Sequence, residues 1–191
     1  MMKLLEERIL KEGTVLPGNV LKVGSFLNQQ IDTTLLSAIA KEVSSLYKDA
    51  GVNKILTIEA SGIAIAAAIG IEMGVPVVFA KKHHTSNVDD DTYSAGAHSY
   101  THDCEYNMIV SKSYLTSDDV VLICDDFLAK GGAINGLISL VEQAGAKLAG
   151  CAIEIEKAFQ GGGDALRAKG IRVESLAMIE KMTDTEVIFR R

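Results

Sequence analysis

The segment VVLICDDFLAKGGA, Val120 to Ala133, holds the densest chemistry of the chain. Two adjacent carboxylates, Asp125 and Asp126, follow an apolar run and precede a loop of mostly small residues. An ionised carboxylate is a strong hydrogen-bond acceptor, so the pair suits the vicinal hydroxyls of a sugar. The loop Ala129, Lys130, Gly131, Gly132, Ala133 lets main-chain N–H groups close around a phosphate, and a helix starting there adds the partial positive charge of its N-terminus. Pair and loop together fit a ribose 5-phosphate.

Three other places where an apolar run ends carry unusual residues: EASGIA after Ile58, KKHH after Ala80 and EKAFQGGG after Ile155. Small, basic and mixed in turn, they point to a polyanionic substrate of modest size. Lys157 ends its apolar run where an ammonium can meet carbonyl oxygens of a ligand. The four histidines, His83, His84, His98 and His102, crowd one stretch beside Cys104, but their spacing fits no metal-ligand motif. Cys104, Cys124 and Cys151 are odd in number with no CxxC, so neither a disulfide framework nor a zinc knuckle is expected, and reducing cytoplasm is the natural compartment.

The elements that must position these residues follow from periodicity. Leu35, Ile39, Val43 and Leu46 recur at helical spacing behind Asp32 as N-cap. Lys54 to Ile58 is β-rich, and the Ala-rich Ile63 to Met73 after it reads as a helix. PVVFA from Pro76 and Val120 to Cys124 are further strands, the latter apolar on both faces as central parallel strands are. A helix from about Gly132 to Ala144, the strand Cys151 to Glu156, a short helix near Ala165 and the run Ile171 to Ile179 complete the alternation. The expectation is an α/β fold, a mainly parallel central sheet flanked by helices, with ligands beyond the carboxyl ends of the strands.

The chain has 191 residues, 48% hydrophobic and 23% charged, which predicts one domain spanning 1–191. Two segments stand apart within it: 14–31, expected as a small hood over the strand ends, and 83–112, long and polar enough to serve as a lid loop. A net charge of -6 argues against a nucleic-acid partner. The charged opening MMKLLEERILKEG lacks the apolar core of a secretory signal, and the longest apolar run, Ile63 to Ile71, is far short of the roughly 20 residues of a membrane span, so no membrane partner is expected.

The apolar strand, acidic pair and phosphate loop resemble the defining segment of the type I phosphoribosyltransferases. Order, spacing and length are similar, end to end, to the members that act on xanthine. That resemblance implies transfer of a 5-phosphoribosyl group from its diphosphate donor to xanthine, with Mg²⁺ entering bound to the donor, in a homodimer. It implies Leu21, Asn28 and Lys157 as base contacts, and Ala129, Lys130, Gly131, Gly132 and Ala133 as the 5-phosphate loop. Ser61, Gly62, Lys81 and Lys82 become pyrophosphate contacts, and Asp125, Asp126 and Lys81 the catalytic set. Phe127 or Phe159 stacks on the base or packs in the core.

The chain departs from the pattern at two places. Relatives usually have Ala-Asn-Gly-Gln-Ala in the loop, where this chain has Lys130 and Gly132, and Arg where Lys81 stands. Many other purine enzymes carry an Asp at the place of Ala129 as proton acceptor, a role alanine cannot fill. A base that is itself acidic, as xanthine is, needs no such acceptor. The alternatives that remain are a hypoxanthine–guanine enzyme and a regulator that senses the donor without consuming it.

Overall fold

The computed structural model describes residues 1–82, 91–99, 104–183 and 185–191. The chain opens with helix α1 (Lys3–Glu12), which buries Leu5, Glu6 and Ile9. A short antiparallel hairpin follows, β1 (Thr14–Leu16) and β2 (Val20–Lys22), and then a π-helical turn, Gly24–Asn28. Helix α2 (Thr33–Tyr47) starts where Asp32 caps it, one carboxylate oxygen accepting from the amides of Thr34 and Leu35 at 3.0 Å each. This is the cap expected from the sequence.

The expected alternation then runs as β3 (Lys54–Ile58), α3 (Ser61–Met73) and β4 (Val77–Ala80). An antiparallel ribbon, β5 (Thr92–Ser99) and β6 (Cys104–Ser111), lies inside the stretch expected as a lid loop. His83, His84 and His102 of that stretch lie outside the described residues. The chain continues as β7 (Val120–Leu128), α4 (Gly132–Gln143), β8 (Lys147–Lys157), a 3₁₀ turn (Ala158–Gln160), α5 (Gly162–Ala168), β9 (Val173–Met182) and β10 (Val187–Phe189).

The main sheet has the order β10-β9-β8-β7-β3-β4, parallel from β4 to β9, with β10 antiparallel at the edge. From β3 the chain moves outward to β4 and later returns on the opposite side as β7. The strand order therefore reverses between β3 and β7, and the crevice beyond their carboxyl ends is where such sheets bind ligands. One face of the sheet is covered by α2, α3 and the N-terminal segment, through Phe26, Ile39 and Ile65. The other face is covered by α4 and the ribbon, through Leu137, Met108 and Val110.

Strand β7 is longer than the sequence suggests. Its ladder with β8 continues through Asp125↔Ile153 and Phe127↔Ile155, so both acidic residues stand inside the strand rather than after it. Their carboxylates make this possible by taking local amides, Asp125 Oδ1 that of Asp126 and Asp126 Oδ1 that of Phe127, at 3.0 Å each. Among the described residues no helix is long and apolar enough to cross a membrane.

Candidate active site

At the switch point between β3 and β7 lies a cavity of about 230 Å³. Its walls come from the end of β3 and the start of α3 (Glu59, Ser61), from β7 (Asp125, Asp126, Phe127), from all five residues 129–133, and from Lys82 and Tyr106. Asp125 and Asp126 are both buried. Burial and the negative Asp126 push the Asp125 carboxyl well above the usual carboxylate range, against the pull of Lys82.

The turn after β3 is shaped for close approach. A Cβ on Gly62 would stand 2.1 Å from Thr57 Oγ1 and 3.3 Å from Asp125 Oδ1, so only glycine lets the first turn of α3 settle against the acidic pair. The Glu59–Ala60 peptide bond is cis. Glu59 accepts the amide of Lys82 at 2.7 Å, which ties this turn to the end of β4, and the Lys82 ammonium lies 5.4 Å from the centre of the Tyr106 ring. Ser61, Lys82 and the acidic pair thus share one cavity.

Lys81 is placed differently. Its backbone bridges to Ile109, and the residue lines a separate cavity of about 460 Å³ with Phe79 and Tyr114 at the β4 edge. Neighbouring residues on an extended chain point to opposite sides, which is why only the second of the two lysines reaches the acidic pair.

The loop after β7 turns at Gly131, whose φ of 87° is in the left-handed region that glycine adopts freely. Its carbonyl accepts both the amide of Asn135 at 2.9 Å and the Asn135 side chain at 2.7 Å. The first-turn amides of α4 have no partners within the helix and are available to an anion. Lys130 is exposed at the rim.

On the hood side, Leu21 and Asn28 line one cavity of about 450 Å³. The Asn28 amide donates to Asp126 Oδ2 at 3.2 Å, which joins this cavity to the acidic pair. Lys157, at the end of β8, donates to the carbonyl of Asn19 at 2.8 Å and lies 5.5 Å from the centre of the Phe127 ring. Burial holds the Lys157 ammonium below the usual lysine range. Of the two aromatic candidates, Phe127 lies against Lys157, whereas Phe159 is partly exposed.

The structure also gives the side chain of Glu59, a residue of the expected pyrophosphate turn, a part of its own, and brings in Tyr106 and Glu154, which the sequence reading did not single out. Glu59 and Tyr106 orient Lys82, and Tyr106 comes from the polar stretch where no strand was expected. Glu154 is fully buried on β8, with neither carboxyl oxygen hydrogen-bonded to a described residue; burial and the charges of Asp126 and Asp125 raise it well above the carboxylate range. The signal for it was a charge inside the apolar run CAIEIE. Among the described residues no cluster of three or more His, Cys, Asp or Glu side chains can hold a metal ion.

Residues 24–187 match the family model of the phosphoribosyl transferase domain. The chain is 51% identical over 188 residues to the xanthine phosphoribosyltransferase of Lactobacillus delbrueckii subsp. bulgaricus, covering 98% of this chain and 100% of that protein. It is 49% identical, over the same shares, to the xanthine phosphoribosyltransferase of Heliobacterium modesticaldum. The crystal structure of adenine phosphoribosyltransferase from Giardia lamblia complexed with 9-deazaadenine superposes with a TM-score of 0.79 at 24% identity, covering 95% of this chain and 99% of that one, which shows the shared fold.

Proposed function

The chain belongs to the phosphoribosyl transferase family, and from that premise we propose that it transfers the 5-phosphoribosyl group of 5-phospho-α-D-ribose 1-diphosphate to xanthine, giving xanthosine 5′-monophosphate and diphosphate. The observation that carries this reading is the convergence, in one cavity, of the acidic pair, the glycine-bearing loop at the start of α4, and Ser61 with Lys82. The xanthine assignment is supported by the near-full-length similarity to enzymes of that name.

In the reaction the bond from C1 of the ribose to the diphosphate oxygen breaks, and a bond from C1 to a purine nitrogen forms. C1 becomes cationic as the diphosphate leaves. The loop 129–133 holds the 5-phosphate, and Asp125 and Asp126 accept the ribose hydroxyls and favour the developing positive charge electrostatically. Lys82 and the Ser61–Gly62 turn meet the leaving diphosphate. Mg²⁺ arriving with the donor would further neutralise that charge; the carboxylates lining the cavity are Glu59, Asp125 and Asp126, and since they form no cluster that can hold a metal by itself, the ion would be carried mainly by substrate oxygens and water.

On the other side, Leu21, Asn28 and Lys157 place the base, with the Lys157 ammonium directed at a purine carbonyl oxygen. Ala129 offers no proton acceptor at the base, which suits an acidic purine that arrives with its proton already lost. The lid expected within 83–112, which would exclude the water that otherwise intercepts the ribosyl cation, cannot include Met108 and Val110, because both are packed in the core beneath the ribbon. The partner expected is a second copy of this chain.

The test is nucleotide formation and diphosphate release with Mg²⁺ and the donor, comparing xanthine, guanine, hypoxanthine, adenine and orotate. Turnover with xanthine well above the others is expected, falling as acid protonates the base. Preference for hypoxanthine or guanine overturns the xanthine assignment, and donor binding without turnover on any base points to a sensor instead.

A further inference from the structure

Beneath the turn that follows Lys157 lies a buried charge network that touches none of the site cavities. Glu156 is fully buried, and its two carboxylate oxygens take Arg167 Nη1 at 2.9 Å and Nη2 at 2.7 Å. Ser175 Oγ donates to the same carboxylate, and the Arg167 guanidinium also donates to the carbonyl of Val173 at 3.2 Å. A guanidinium held by two parallel hydrogen bonds is fixed in plane as well as in place.

This network sets the position of the glycine turn 161–163. A Cβ on Gly163 would stand 2.0 Å from Glu156 Oε1, so the turn lies directly on the fixed carboxylate. A Cβ on Gly162 would stand 2.3 Å from the carbonyl oxygen of Ala129, 2.7 Å from the carbonyl carbon of Lys130 and 2.8 Å from the amide nitrogen of Gly131. The Gly162 amide donates to the Ala129 carbonyl at 3.1 Å. Backbone meets backbone here, with no side chain to yield. The loop 129–133 is therefore gripped from two sides, by Asn135 of α4 and by Gly162.

We propose that Gly162, seated through Gly163 on the Glu156–Arg167 pair, is a positioning residue for the donor's 5-phosphate. It fixes the backbone of 129–131 so that the loop amides converge before the donor arrives, and it acts through that loop without touching substrate. The inference rests on the reading of 129–133 as the 5-phosphate loop. The strand that ends at Lys157 then serves both substrates: its last residue faces the base, and the turn just beyond it supports the phosphate.

The experiment measures donor binding by calorimetry with Mg²⁺, together with the KM for each substrate, on the full chain. Gly162→Ala is expected to raise the donor KM at least about tenfold, because a displaced loop misaligns several amides at once, while the xanthine KM stays within about twofold. Gly70→Ala serves as the control for mere loosening: a Cβ there would stand 2.5 Å from the side-chain atom Val77 Cγ2 and 3.0 Å from the carbonyl oxygen of Val75, a buried clash at the far end of α3 from Ser61. It is expected to lower Tm and leave the donor KM alone. Arg167→Ala is expected to weaken donor binding, and Arg167→Lys to recover part of the loss.

A folded Gly162→Ala with unaltered donor KM overturns the proposal, as does a Gly70→Ala that raises it by the same factor. Should Gly162→Ala fail to fold, unaltered donor binding in Arg167→Ala overturns it instead. A wild-type chain that binds no donor removes the phosphate-loop reading itself, a result distinct from a wild type that binds and variants that bind equally well.

Discussion

The two sides of the candidate site are built by different means. On the donor side, Asp125, Asp126 and the loop 129–133 belong to the central strand β7 and to the start of α4, held by a sheet ladder and by backbone contact with Gly162. On the base side, Leu21 and Asn28 sit on a hairpin with strands of three residues each and on a π-helical turn. Two side-chain hydrogen bonds join that hood to the sheet at the site, Asn28 to Asp126 and Lys157 to Asn19. In the proposed reaction, rigid backbone serves the part shared by every phosphoribosyl transfer. The proposed base side is a small element anchored by buried Leu21, Val23, Phe26 and Leu27, with its polar side chains left to face the site.

The contrast is broken most directly at the acidic pair. Asp125→Asn and Asp126→Asn are each expected to lower kcat/KM by about 100–1000-fold, the scale on which loss of one preorganised electrostatic contact reduces catalysis. Stability should not fall with activity at Asp125, whose buried carboxyl is disfavoured beside Asp126, whereas Asp126→Asn also gives up the hydrogen bond from Asn28 and should cost some stability. Activity measured beside urea unfolding checks both halves. An Asp125→Asn variant that loses stability and activity in parallel shows that the pair serves the fold first.

That difference in construction also decided what could be read from the sequence. Strand β7, its acidic pair and the glycine loop are contiguous, and their chemistry is explicit in DDFLAKGGA. The parallel order followed from apolar runs alternating with helical periods, and Asp32 marked the start of α2. The extent of β7 did not, because two consecutive aspartates read as the end of a strand until their local amide hydrogen bonds are seen. Nor did the separation of Lys81 from Lys82, which depends on the direction in which each leaves the edge strand. The ribbon β5–β6 was hidden by its polar alternation, and Tyr106 with it. Gly162 lay in a run of three glycines that reads as a flexible turn. Its role depends on a contact with residues about thirty positions away, which no local pattern encodes.

Lys157 sharpens the comparison at the base side. Lys157→Ala is expected to raise the xanthine KM by about 10–100-fold, the worth of one hydrogen bond to a charged group, and to leave the donor KM nearly unchanged. The pH dependence follows from its lowered pKa, caused by burial. The ammonium is present below that value and lost above it, so base affinity declines on the alkaline side earlier than an ordinary lysine would dictate. The stability sign is opposite: the unfolded chain holds this proton more tightly, so stability rises with pH between the lowered and the ordinary value. Xanthine KM followed from pH 6 to 10 in wild type and in Lys157→Gln tests this, with the alkaline limb expected to vanish in the variant.

Glu154 gives the smallest effect and the most specific one. The donor side carries a further carboxyl, Glu154, buried and without a hydrogen bond to any described residue, whereas the hood holds no such group among its described residues. Its pKa is raised by burial first, then by Asp126 and Asp125. The folded chain therefore holds the proton more tightly than the unfolded one, and the stability tied to this group is full below the ordinary carboxylate value and declines as pH rises toward the raised one. Glu154→Gln keeps the shape and removes the titration. It is expected to be more stable than wild type at pH 8 by about 1–3 kcal/mol, the scale of a buried polar group left unsatisfied, with the gap closing toward pH 5. Urea midpoints across that range measure it. Identical pH slopes for the two proteins mean that Glu154 ionises as freely in the folded chain as in water, and that the donor side carries no more electrostatic strain than the hood.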